Sequence, residues 1–241
     1  MNLPSSGLPP SRVVPREQTQ AILDRRSAAS ALIKPSDLYT LADRLEQQAE
    51  RFGERPLLIY GEQRLSYAEV DARANQMAHT FYAKGLRAGD VCAMVMENRP
   101  AFFCTWFGLV KLGVVVAFIN TQVNGKALLH ALQTTAAKAL VVGEECLGNV
   151  LATEGLPPLS YWLVGDAENP WTADLPGFID RQFATRLDSA PRSAFPRDIR
   201  AGVEAQTPTL LIFTSGTTGL PKAARYSHMR WMSSGDVMEV T

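Results

Sequence analysis

Apolar positions along this chain recur at two spacings, and the two alternate. Between residues 38 and 52, Leu38, Leu41, Ala42, Leu45, Ala49 and Phe52 repeat at three- and four-residue intervals, with Ser36 available as N-cap and Gly53 just past the end. That is the period of one helix face. "LLIY" at 57–60 reads as a strand, and Gly61-Glu62 turns it back. Ser66 and Glu69 then stand at the spacing at which each side chain satisfies the other's backbone N–H at a helix start. Val70, Ala74, Met77, Ala78 and Phe81 supply that helix's buried stripe, and Gly85 stops it. Downstream the pattern predicts a strand at 91–96, a helix at 100–112 and a strand at 114–119. A helix at 125–134, a strand at 139–142, a helix at 144–152 and a strand at 160–164 follow.

Strands separated by helix-length segments predict βαβ units, hence an α/β fold whose mostly parallel sheet is covered by helices on both faces. Residues 36–165 form this first α/β subdomain. From 166 to 208 proline, glycine, aspartate and arginine dominate, broken by one helical patch, "GFIDRQFATRLD", so this stretch reads as a crossover or a loop with a helix. "TLLIFT" (209–214) opens a new strand and "AARY" (223–226) a second. Residues 209–241 are therefore expected to begin a second α/β subdomain, in a new sheet with an exposed edge. Residues 1–35, with four prolines in the first 20 positions and no apolar signal-peptide core, are expected to be a flexible leader.

One segment changes the picture. "AFFCTWFGLVKLGVVVAFI" (101–119) is apolar apart from Lys111 and is close to the roughly 20 residues a bilayer helix needs. Pro100 suits a first helical turn, Gly113 a helix end and "VVVAFI" a strand, so a buried helix followed by a strand is the preferred reading. Peripheral contact with a membrane stays open.

Composition narrows the classes without choosing one. Hydrophobic residues are 46% and charged residues 20%, as in ordinary globular chains, and lysine plus arginine balance aspartate plus glutamate at 24 each. No basic field argues for nucleic acid as a partner. Cys92, Cys104 and Cys146 are odd in number and lack metal spacing, which fits a reducing cytoplasm with no metal-ligating residues to assign.

The chemistry concentrates at "LIFTSGTTGLPKAARYSH" (211–228). Gly216 and Gly219 allow backbone N–H groups to approach an anion, Thr214, Ser215, Thr217 and Thr218 add hydroxyl donors, and Lys222 adds a cation. Pro221 stiffens the exit. The spacing is not that of a Walker loop, because the glycines are three apart and Ala223, not a hydroxyl, follows the lysine. Composition alone fits either a clamp for the outer phosphates of a nucleoside triphosphate or a Ser/Thr/Gly-rich surface hairpin.

"FTSGTTGLPK" resembles the phosphate-binding signature of the adenylate-forming superfamily, and 65–120 resembles the N-terminal subdomain of those enzymes. "GLVKLGVVVAFINT" and Ala223-Ala224 are most similar to the fatty acid transport protein and very-long-chain acyl-CoA synthetase branch. The resemblance implies ATP- and magnesium-dependent activation of a fatty acid as an acyl-adenylate, followed by transfer to coenzyme A. It implies that Thr214, Ser215, Gly216, Thr217, Thr218, Gly219 and Lys222 hold the β- and γ-phosphates, with Lys222 also countering charge on the leaving pyrophosphate. His228 matches a Ser-His pair that follows this loop in the family, so it is either catalytic or structural. His79 and His130 read as structural or solvated, and Trp231 as core.

The family's adenine-contacting, magnesium-binding and ribose-binding motifs are not found in these residues, so the chain is expected to be an N-terminal portion that is inactive alone. Two rivals remain: a ligase for an aromatic, bile or carnitine-type acid, and a non-catalytic module that binds lipid or a membrane.

Overall fold

The computed structural model describes residues 16–30, 32–165, 170–180, 182–214 and 222–239. Its helices and strands follow the chain as α1 (Arg16–Ser30), α2 (Leu41–Phe52), β1 (Pro56–Tyr60), β2 (Gln63–Ser66), α3 (Tyr67–Ala83), β3 (Val91–Val95), α4 (Pro100–Lys111) and β4 (Val115–Phe118). Next come α5 (Gly125–Thr135), β5 (Ala139–Gly143), α6 (Leu147–Leu151), β6 (Ser160–Val164), β7 (Ile179–Asp180), α7 (Gln182–Ser189), β8 (Pro208–Thr214), β9 (Lys222–Ser227) and α8 (His228–Glu239). β1 and β2 pair as a separate antiparallel hairpin. The other strands form one sheet in the order β7-β6-β5-β3-β4-β8-β9, parallel except for the last pair.

The two-residue alternation within strands splits the core into two layers. Cys92, Met94, Val116, Val141, Trp162 and Leu210 point to the face covered by α3, α4 and α7, where they meet Met77, Phe81, Leu109 and Phe183. Ala93, Val95, Ala117, Leu140, Val142 and Leu211 point to the opposite face, against Leu128, Leu132, Leu147 and Val150 of α5 and α6. Both faces are buried, so these strands read as continuous apolar runs. Cys92, Cys104 and Cys146 are buried free thiols.

The helix–strand reading of 101–119 holds. α4 ends at Lys111, Gly113 turns with φ of 76°, and β4 follows. No helix among the described residues is long and apolar enough to cross a membrane. Gly108 is needed for a different reason: a Cβ there would lie 2.3 Å from the Cβ of Met77 and 3.0 Å from the Ala74 carbonyl oxygen, so glycine sets how closely α4 crosses α3.

Several expectations are corrected. β8 does not begin a new sheet; it lies beside β4 in parallel, with Phe118 opposite Ile212, and extends the existing one. Non-local pairing is invisible to strand periodicity; among the described residues β9 stands last in the strand order. The N-cap of the first predicted helix is Thr40, not Ser36, because Thr40 and Asp43 form the reciprocal box and Ser36 has no acidic residue three positions on. Leu38 consequently lies outside that helix and is 53% exposed. The patch 177–188 starts as the short strand β7 before turning into α7. The segment read as one helix at 144–152 opens with a 3₁₀ turn at Glu144–Cys146. Within the expected leader, residues 1–15 lie outside the described residues, while 16–30 form α1, which lies against α8.

Candidate functional site: the β8–β9 hairpin

β8 is an apolar, β-branched run whose Leu210 and Leu211 are buried on opposite faces of the sheet. β4 ends opposite Ile212, so β8 runs two residues further and carries Thr214 past the sheet's carboxyl edge. β9 returns antiparallel, with Thr214 opposite Lys222, and the Thr214 hydroxyl donates to the Lys222 carbonyl oxygen at 3.4 Å. Both side chains are exposed. The segment between them, Ser215 to Pro221, lies outside the described residues, so Ser215, Gly216, Thr217, Thr218 and Gly219 are placed only by the hairpin ends that carry them. Those ends open at the carboxyl ends of parallel strands, where open α/β sheets bind ligands.

An aromatic wall adjoins this edge. Phe118, at the end of β4, packs on Phe102 at 5.1 Å and on Trp106 at 5.4 Å between ring centroids. Trp231 of α8 meets Trp106 edge-on at 5.1 Å. Phe102, Phe118 and Trp231 are half-buried, so the wall keeps an accessible side.

His228 is brought close in sequence to the hairpin but is committed elsewhere. It opens α8, is 2% exposed, and its Nδ1 accepts the Leu41 N–H at 3.2 Å, satisfying a free donor at the start of α2. Burial is the main cause that drops its pKa to about 4; Asp43 pulls upward and Arg200 pushes downward. This geometry supports the structural alternative for His228. His79 contacts the Ser193 carbonyl oxygen and the edge of Phe195, and His130 sits on α5 beside Thr134.

The feature the sequence signalled without explaining is Lys111, the single charge in the apolar stretch. It is fully buried, with Nζ 2.6 Å from Glu46 and 2.9 Å from Asp71. Arg200, equally enclosed, bonds Glu46 at 2.7 Å, Asp43 at 3.1 Å and the Lys111 carbonyl oxygen at 3.2 Å. Burial by itself would raise the Asp43 carboxyl, but hydrogen bonds from Thr40 and the charges of Arg200 and Arg197 outweigh it and hold Asp43 below its ordinary value. This cluster ties α2, α3 and α4 to the segment before β8, and so fixes the base of the sheet from which the hairpin projects.

Among the described residues no group of three or more His, Cys, Asp or Glu side chains is placed to hold a metal. The donor set at the hairpin is hydroxyl and ammonium, which suits phosphate oxygens rather than a cation.

Comparison with known proteins bears on the fold and the family. Human long-chain fatty acid transport protein 6 is 36% identical over 210 residues, covering 85% of this chain and 32% of the relative. The medium/long-chain-fatty-acid–CoA ligase FadD6 of Mycobacterium tuberculosis is 29% identical over 215 residues, covering 88% and 33%. The chain thus spans about a third of the length of the curated relatives it matches. Among solved structures, the anthranilate CoA ligase AuaEII in complex with anthranoyl-AMP superposes with a TM-score of 0.70 at 22% identity, over 83% of this chain and 36% of that one. A Mycobacterium tuberculosis fatty acyl CoA synthetase gives 0.64 at 22% identity, over 78% and 34%. These likenesses establish the shared α/β fold. The AMP-binding enzyme family matches residues 45–240, nearly everything from α2 to the end of α8 and including the whole hairpin, and to that family the chain belongs.

Proposed function

We propose that this chain supplies the phosphate-gripping part of an ATP-dependent fatty acid–CoA ligase. The observation that carries the reading is the seat of "FTSGTTGLPK": a hairpin projecting past the carboxyl edge of a parallel sheet, with Thr214 and Lys222 side by side at its base. In this reading Thr214, Ser215, Gly216, Thr217, Thr218, Gly219 and Lys222 surround the β- and γ-phosphates of ATP. ATP supplies the activated phosphorus, and magnesium, for which no group of described residues here is placed, would offset phosphate charge; the acid's carboxylate oxygen bonds to the α-phosphorus and pyrophosphate departs. Negative charge grows on the departing group, and the Lys222 ammonium with the preplaced donors stabilises it. Coenzyme A, as co-substrate, then takes the acyl group: its thiol sulfur bonds to the acyl carbon, the bond from that carbon to the phosphate oxygen breaks, and AMP departs.

The acid is assigned as a long-chain fatty acid because relatives carry long-chain fatty acid names and because the aromatic wall of Phe102, Phe118 and Trp231 offers an apolar surface beside the hairpin. The reaction is placed in the cytoplasm, with peripheral contact at a membrane where the acid is delivered. His228 takes a structural part, holding α2 to the start of α8.

The test is acid-dependent exchange of labelled pyrophosphate into ATP, in a protein that carries these residues at the full length of the relatives. A long-chain fatty acid should support exchange, and Lys222→Ala should lower it about 100-fold, the scale on which single stabilising donors act. Exchange with benzoate but not with fatty acid refutes the substrate assignment. Lipid binding with no exchange for any acid leaves the non-catalytic reading instead.

A further inference from the structure

The order β6-β5-β3-β4 has a topological switch point. From β3 the chain crosses by α4 on one face to β4, and from β5 it crosses by α6 on the other face to β6. Connections that leave neighbouring strands in opposite directions open a crevice at their carboxyl ends, the place where open α/β folds commonly seat a ligand. Here that crevice is part of a cleft of about 480 Å³, within the range of small-molecule sites, lined by the β3–α4 and β5–α6 turns and walled by Arg73, Gln76 and Arg192. The hairpin lies two strands away, roughly 10 Å by strand spacing.

The crevice already holds an anion of the protein's own. The Glu145 carboxylate accepts the Glu97 N–H at 2.8 Å and the Arg99 guanidinium at 3.2 Å from Nε and 3.0 Å from Nη2. Arg99 is pinned in turn by the Val164 carbonyl oxygen at 3.1 Å, at the end of β6. Gly143, which ends β5, makes the room, since a Cβ there would lie 2.2 Å from Glu145 Oε1. Both charged side chains are nearly enclosed, at 12% exposure for Arg99 and 10% for Glu145. An arginine fork, a strand-end N–H and a glycine cradle are what a carboxylate or phosphate needs, and they are aimed at one spot.

We propose that this crevice is a second anion site, separate from the hairpin, that takes the carboxylate or phosphate of a small organic ligand in exchange for the Glu145 carboxylate. Glu145 acts as a resident competitor: it fills the seat while no ligand is present and swings toward the open side of the cleft when one enters.

Thermal-shift titrations of the 241-residue chain with sodium phosphate and, separately, sodium acetate, at ionic strength held constant with sodium chloride, test this. Glu145→Gln removes the competing charge and should tighten apparent affinity at least tenfold for one or both anions; the stronger arm names the headgroup. Arg99→Gln in that background should abolish this gain over wild type, and Lys222→Ala should leave the gain unchanged, whatever phosphate the hairpin itself binds. No gain in Glu145→Gln, or a gain that survives loss of Arg99, overturns the proposal, as does a gain that disappears with Lys222. Should Glu145→Gln fail to fold, Glu145→Asp keeps the charge but withdraws it by one methylene, and the same gain is expected or the proposal fails.

Discussion

Lys111→Met is the sharpest test of how this fold is held. Methionine matches the lysine stem and removes only the ammonium, so packing around α4 is kept. The wild-type ammonium has no exposure and faces two carboxylates, Glu46 at 2.6 Å and Asp71 at 2.9 Å. Removing one partner of a buried pair typically costs about 3–5 kcal/mol, because the other charge stays behind uncompensated. Two facts place this site at the lower end. Glu46 keeps Arg200 at 2.7 Å, and the Glu46 and Asp71 side chains retain 29% and 18% of their exposure. Asp71 is left worse off, with its other oxygen held by Asn75 at 3.1 Å. The expected loss is about 3 kcal/mol, or a drop in Tm of about 6–12 °C for a chain of this size. Urea unfolding followed by circular dichroism measures it, and adding Asp71→Asn should restore part of the loss. A Lys111→Met protein as stable as wild type, within about 0.5 kcal/mol, would refute the view that these charges compensate one another.

Three further outcomes are expected. His228 has its pKa lowered from 6.5 to about 4, so the folded state binds fewer protons there than the unfolded chain; stability should be full above pH 6.5 and fall by about 3 kcal/mol as pH drops towards 4, and His228→Gln should flatten that slope in pH-dependent urea titrations. Asp43, held below its ordinary 3.8, adds a separate loss only beneath that value. Gly108→Ala drives a methyl into Met77 and should cost about 1–3 kcal/mol by thermal melting, with an unchanged fold in far-ultraviolet dichroism. Ser66→Ala removes the hydroxyl that accepts the Glu69 N–H at 3.2 Å and should cost about 1 kcal/mol in the same assay.

Features written within a few residues of one another were legible in the sequence. The box at Ser66 and Glu69 appears as spelled, and Val70, Ala74, Ala78 and Phe81 are buried as their spacing demands. The Thr40–Asp43 box is equally spelled out, but Leu38 stands in phase with the apolar stripe and masks it. What could not be read is pairing at a distance. Nothing local says that β8 docks on β4, that two residues of the 177–188 patch add a strand to the sheet, or that Lys111 has partners on α2 and α3. Periodicity reports which face is buried, not what buries it. At the candidate site, sequence supplied the residue types and structure supplied the direction in which Thr214 and Lys222 face; it also gave His228 a partner 187 residues away.

That last bond bears on the order in which the molecule can be made. The start of α2 is closed by His228, and its Asp43 and Glu46 are paired with Arg197 and Arg200. At ribosomal speeds of roughly 5–20 residues per second, α2 leaves the ribosome about 10–40 s before the residue that completes its first turn. Until Arg197 and Arg200 follow, the helix carries Asp43 without its counter-charges and Glu46 with Lys111 alone, beside a face meant for α3 and α4. The nascent chain is therefore a species with its own chemistry, acidic and apolar along α2, and its exposure to premature association ends only with the arrival of α8.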